Sequence, residues 1–136
     1  MSTSEETSHT RILVLDDGRE FRLVLGRLLD RDGYDVTCVG TLLEARGAVQ
    51  GEQFDILVFD LQLPDGRGTA LLSELRETPE YADTPAIAIT AKGGPGVAQS
   101  CEEAGFQRYI PKPVRWPALR AVLRELASEK PWRHSA

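Results

Sequence analysis

Hydrophobic residues run without alternation over Ile12–Leu15, Ile56–Phe59 and Ala86–Ile89. A strand covered on both faces needs apolar side chains on both, so short unbroken runs of this kind predict buried strands of a parallel sheet. Asp35–Val39 and Arg108–Ile110 are more polar, as edge strands would be. Between these runs the period changes to that of a helix. Phe21, Leu25, Leu28 and Leu29 fall on one helical face, as do Leu119, Val122, Leu123 and Leu126 near the end. Weaker patterns predict helices over Thr41–Val49, Gly68–Glu77 and Val97–Ala104. Gly33, Gly51 and Gly105 each follow a helical run, where a left-handed closing residue is wanted. Five strands alternating with five helices predict an α/β fold, a doubly wound parallel sheet with helices on both faces.

Composition narrows what such a fold can be. The chain has 136 residues, close to one domain at roughly 150 residues per domain. Its 16 Lys and Arg against 21 Asp and Glu give a net charge of −5. That balance argues against nucleic acid as a direct partner, because phosphate binding needs clustered cations. Cys38 and Cys101 sit in no CxxC and near no His, which predicts neither a disulfide framework nor a zinc site and points to a cytoplasmic protein. No apolar run approaches the roughly 18 residues of a membrane span. Residues 1–10 are polar and acidic, so they read as a flexible leader rather than a signal peptide. The folded domain is expected over 11–129, with 130–136, broken by Pro131, as a tail or the start of a linker. Trp116 reads as a helix-packing residue and Trp132 as part of that tail.

In a doubly wound sheet, ligands bind beyond the carboxyl ends of the strands. The first run ends in Asp16 and Asp17, the third strand in Asp60, the fourth in Thr90, and the fifth is followed by Lys112. Three carboxylates brought together repel one another unless a cation sits among them. Oxygen ligands on rigid strand ends suit a hard divalent ion, most simply Mg²⁺. A lysine at the same edge suits a phosphoryl group, and one carboxylate could be the nucleophile that forms an aspartyl phosphate. Taken singly, each residue has a plainer explanation: Asp16 or Asp17 as a helix cap, Asp60 as the start of a turn, Thr90 as a strand former, Lys112 as a solvated charge. Their convergence on one sheet edge is what those explanations do not supply.

The pair Asp16-Asp17, the lone Asp60 followed by Leu63, Pro64 and Gly68, the pair Thr90-Ala91, and Tyr109 through Lys112-Pro113 together resemble the response-regulator receiver domain over about Thr10 to Ser128. The resemblance implies the flavodoxin-like strand order 2-1-3-4-5 and a phosphoacceptor role for Asp60, supplied from a phosphohistidine of a histidine kinase or phosphotransfer protein. It also implies that Asp17, Asp60 and the backbone carbonyl of Gln62 hold Mg²⁺, with Asp16 acting mostly through a water. Lys112 would contact the phosphoryl oxygens and pair with Asp60 before phosphorylation. Thr90 and Tyr109 would be the switch pair, and the face of the fourth helix, fifth strand and fifth helix would meet a downstream protein. The Lys112–Pro113 bond is expected to be cis.

Several positions depart from the family pattern. Gly18 stands where a polar residue is common in the family, and Arg67 where Asp is common; the resemblance implies that Gln62 would lie beside the path of an attacking water. Gly93, Gly94, Pro95 and Gly96 fall where the fourth helix normally begins, which predicts a late start or a plain long loop. Leu23, opposite the apolar stripe of the first helix and near Arg19 and Arg27, is a candidate contact for the phosphodonor. The competing readings are a receiver piece of a longer DNA-binding regulator or hybrid histidine kinase, and a small Mg²⁺-dependent phosphatase. The phosphatase reading would need a second acid two residues past the nucleophile, where Gln62 stands.

Overall fold

Each continuous apolar run is a strand in the computed structural model, which describes residues 10–91 and 93–128. Residues 1–9 of the expected leader, Glu129, and the expected tail with Trp132 lie outside the described residues. In chain order the elements are β1 (Arg11–Leu15), α1 (Arg19–Arg31), β2 (Asp35–Val39), α2 (Leu42–Gly51) and β3 (Ile56–Asp60). A short hairpin of β4 (Gln62–Leu63) and β5 (Gly66–Arg67) follows, then α3 (Gly68–Arg76), β6 (Ala86–Thr90), α4 (Pro95–Ala104), β7 (Arg108–Pro111) and α5 (Trp116–Ser128). The main sheet runs β2-β1-β3-β6-β7, every pair parallel. Leaving out the hairpin, this is the order 2-1-3-4-5.

Alternation along each central strand splits the core into two layers. Ile12, Val14, Ile56, Val58, Ile87 and Ile89 face α1 and α5 and meet Leu25, Leu29, Leu119, Leu123 and Leu126. Leu13, Leu15, Leu57, Phe59, Ala86 and Ala88 face the other way, onto Leu42, Ala45, Leu71, Leu72, Cys101 and Ala104. Small residues at Ala86 and Ala88 leave space on that side, where Phe59 and Phe106 pack edge to face at 6.2 Å. Trp116 packs against the first layer, as its sequence context predicts.

The edges of several elements differ from the sequence expectation. Thr10, assigned to the leader, is buried, and its carbonyl accepts the Asp35 amide at 2.9 Å. Gly33 (φ 93°) and Gly105 (φ 110°) take the left-handed conformation. Gly51 does not: it is the last residue of α2, and the chain leaves through Glu52 in extended conformation, so this helix needs no left-handed closure. The fourth helix begins at Pro95, within the glycine-rich stretch and two residues before the Val97 start that the pattern predicts. Gly94 (φ 115°) is its N-cap and Pro95 stands in its first turn, where a proline costs no hydrogen bond. Cys38 and Cys101 are both free thiols.

Candidate functional site

Parallel pairing of β1, β3 and β6 carries their carboxyl ends to one edge, and the polar residues that end them arrive there together. Asp16 follows β1, Asp60 ends β3 and Thr90 ends β6; all three are buried. Asp17 is exposed beside them. One carboxylate oxygen from each of Asp16, Asp17 and Asp60 lies within 4.8 Å of the others. This is an all-oxygen cluster on rigid strand ends, and it fits a hard divalent cation better than a soft one.

Lys112 follows β7, its amide bonded to the Thr90 carbonyl at 2.8 Å. Its Nζ lies 2.5 Å from Asp16 Oδ2 and 3.3 Å from Asp60 Oδ2. The shorter contact is therefore to Asp16 rather than to Asp60, the partner that the resemblance implies. Lys112–Pro113 is cis, as expected. Burial pulls the Lys112 ammonium down, but the hydrogen bond and charge of Asp16, helped by Asp60, hold it above the usual lysine value. Asp60 is pushed the same way for another reason. Burial raises its carboxyl, Asp16 adds to the rise, and Lys112 and the Gln62 amide offset only part of it.

The backbone around Asp60 is tightly enclosed. The Gln62 amide donates to Asp60 Oδ1 at 3.3 Å, and the Gly68 amide donates to the Leu61 carbonyl at 3.0 Å. A Cβ at Gly68 would overlap the Asp60 carbonyl oxygen, so only glycine lets the hairpin fold back this closely. Arg67, its neighbour, is the N-cap of α3 and makes no side-chain cap bond. Around Asp16, Oδ1 accepts the Gly18 amide at 2.8 Å and the carbonyl accepts Arg22 Nη1 at 2.9 Å. Gly18, not Asp16 or Asp17, is the N-cap of α1.

Tyr109 is half-buried against the layer that holds Phe106 and Cys101, with its hydroxyl close to Gly93 in the loop after Thr90. A groove lined by Gln62, Arg67, Thr90, Gly94 and Val97 lies between the Asp60 edge of the sheet and α4. Of the α4 side chains described, only Cys101 and Ala104 are buried. Leu23 is 54% exposed on α1, and Val24 beside it is 59% exposed. Sequence reasoning assigned Phe21 to the core stripe and passed over Arg22. In the structure Phe21 lies under the Lys112 ammonium, 4.8 Å from ring centroid to Nζ. Apolar periodicity carries no sign of such a contact. Among the described residues, no helix is long and apolar enough to cross a membrane.

The sequence profile described as the response regulator receiver domain matches residues 12–124. The sensory/regulatory protein RpfC of Xanthomonas campestris pv. campestris is 34% identical over 119 residues, covering 86% of this chain and 16% of that protein. The transcriptional regulatory protein CpxR of Klebsiella pneumoniae is 33% identical over 122 residues, covering 90% of this chain and 51% of that protein. The chain thus spans at most about half the length of these curated relatives. A crystal structure of the receiver domain of the sensor histidine kinase PA1611 from Pseudomonas aeruginosa, with a magnesium ion coordinated in its active-site cleft, superimposes with a TM-score of 0.80. It is 27% identical and covers 88% of this chain and 98% of that one.

Proposed function

The chain belongs to the response regulator receiver domain family, and from this we propose that it is a phosphoacceptor switch of two-component signalling with Asp60 as acceptor. The observation that carries the proposal is the meeting of Asp16, Asp17 and Asp60 within 4.8 Å at the strand ends, with Lys112 bridging two of them.

The reaction is transfer from a phosphohistidine. An Asp60 carboxylate oxygen forms a bond to phosphorus while the phosphorus–nitrogen bond to the donor imidazole breaks, and the imidazole keeps that electron pair. Asp16, Asp17, Asp60 and the Gln62 carbonyl are the groups that would hold Mg²⁺, which supplies counter-charge to the phosphoryl oxygens and the carboxylates when bound. The remaining work falls to side chains of this chain. Lys112, anchored through its amide on Thr90, turns from Asp16 toward the phosphoryl oxygens. The Thr90 hydroxyl donates to the same group, and Tyr109 follows it inward across the glycine-rich start of α4. The face of α4, β7 and α5 then changes population between two states and is read by a protein target.

This chemistry labels and unlabels the protein itself and turns over no external substrate. The donor is a histidine kinase or a histidine phosphotransfer protein in the cytoplasm, and neither nucleic acid nor membrane is bound by this chain directly. A second reading, a receiver within a longer regulator or hybrid kinase, is supported by RpfC and CpxR, of which the chain spans 16% and 51%. Incubation with Mg²⁺ and a small acyl phosphate tests the proposal. It requires one acid-stable, base-labile phosphoryl group per chain that Asp60→Asn abolishes, and steady hydrolysis of a phosphate ester would favour the phosphatase instead.

A further inference from the structure

Lys112 has to do two things that conflict. Its ammonium must be held at a site with three carboxylates, and it must also be free to leave Asp16 when a phosphoryl group or a cation changes the charge around it. A four-carbon stem with many rotamers does not secure this by itself. Its backbone end is fixed, since the Lys112 amide is bonded to the Thr90 carbonyl at 2.8 Å. Its charged end lies between Asp16 and Asp60 on one side and the Phe21 ring on another.

The geometry assigns Phe21 as a positioning residue for Lys112, acting through the face of its ring. The Nζ–centroid distance of 4.8 Å is within the range over which a ring quadrupole attracts an ammonium. The ring is half-buried at the start of α1 and packs into the layer of Leu25 and Leu29, so it cannot swing away freely. Together with Pro113, Val114 and Trp116 it lines an apolar groove beside the lysine stem. A groove of this kind weakens competition from water for the ammonium. Asp60 changes its charge and shape when it takes the phosphoryl group, whereas the ring keeps its electrostatic character throughout. It offers a flat attractive surface along which the ammonium can shift from Asp16 toward Asp60 without losing contact. The inference rests on the proposed role of Asp60 and adds a residue that the metal and acceptor set does not contain.

The test compares wild type with Phe21→Leu, which keeps an apolar filler without a π face, and Phe21→Tyr, which keeps the face. Two readouts are taken: the ring-current shift of the Lys112 ε-methylene protons by NMR, and the rate of Asp60 labelling by an acyl phosphate with Mg²⁺. We expect Phe21→Leu to abolish the shift and slow labelling by about threefold to tenfold, and Phe21→Tyr to keep both near wild type. A wild-type shift or a wild-type rate in Phe21→Leu overturns the inference. So does a Phe21→Tyr variant as impaired as Phe21→Leu, because packing rather than the ring face would then matter. If wild type itself is not labelled at Asp60, the proposed function falls, while the ring-current comparison still decides whether Phe21 holds Lys112.

Discussion

Lys112 Nζ lies 2.5 Å from Asp16 Oδ2 and 3.3 Å from Asp60 Oδ2, so the cation is bound most closely to a carboxylate that is not the proposed acceptor. Asp16 is fully buried and Lys112 is only 23% exposed, which makes the pair costly to break from one side. Replacing one partner of a buried pair leaves an uncompensated charge. Lys112→Met is therefore expected to lose about 3 kcal/mol of stability at neutral pH without divalent ions. Added Mg²⁺ should restore more stability to the variant than it adds to wild type, as thermal unfolding with and without the ion would show.

Asp60 makes the opposite contribution. Burial holds its carboxyl above the ordinary aspartate value, so the folded chain binds that proton more tightly than the unfolded chain does. Its favourable contribution is complete below the unfolded value of about 4. It is lost as pH rises through the higher folded value, and at neutral pH the ionised group costs stability. Asp60→Asn should then raise the melting temperature at pH 7 without Mg²⁺. The gain should shrink as pH falls toward 4 or as Mg²⁺ is added. A lower melting temperature for the variant in metal-free buffer at pH 7 would refute this.

Gly68 is the position where the chain leaving the hairpin presses on the end of β3. A methyl group there meets the Asp60 carbonyl oxygen, a backbone atom that cannot rotate aside. Gly68→Ala should cost about 3 kcal/mol, measured by denaturant unfolding. It should also slow Asp60 labelling, because the acceptor backbone has to move.

The start of α4 separates two glycines. Gly96 is inside the helix with open space around its missing side chain, whereas Gly94 caps it at φ 115°. Gly96→Ala should stabilise the chain by about 0.5–1 kcal/mol and slow amide exchange along α4. Gly94→Ala should destabilise it, because a side chain is strained at that φ.

The central strands and the polar residues at their carboxyl ends were legible for one reason: burial on both faces demands unbroken apolar runs, so the polar residue that ends each run stands out. Asp16, Asp60 and Thr90 were visible in this way, and parallel pairing brought them together. Residues whose role depends on contacts far along the chain were not visible. Asp65 caps α2 by accepting the Leu42 and Leu43 amides, more than 20 positions away, yet its sequence context reads only as a turn. Arg76 donates to the Tyr81 and Gly105 carbonyls, both at 2.7 Å, joining the end of α3 to the turn before β7. Phe21 satisfied the apolar period of α1 and gave no sign that its face meets Lys112. Gly51 looked the same as Gly33 and Gly105, because a closing conformation depends on where the chain goes next.

The central claim is that Asp60 takes the phosphoryl group, and borohydride trapping tests it most directly. An aspartyl phosphate is an acyl phosphate, which borohydride reduces so that the aspartate becomes homoserine, and mass spectrometry locates that residue in a peptide map. After treatment with Mg²⁺ and an acyl phosphate donor, the account predicts homoserine at position 60 and at no other carboxylate, with none in Asp60→Asn. Homoserine at position 16 or 17, or an unmodified position 60 under conditions that label another receiver domain, would contradict it.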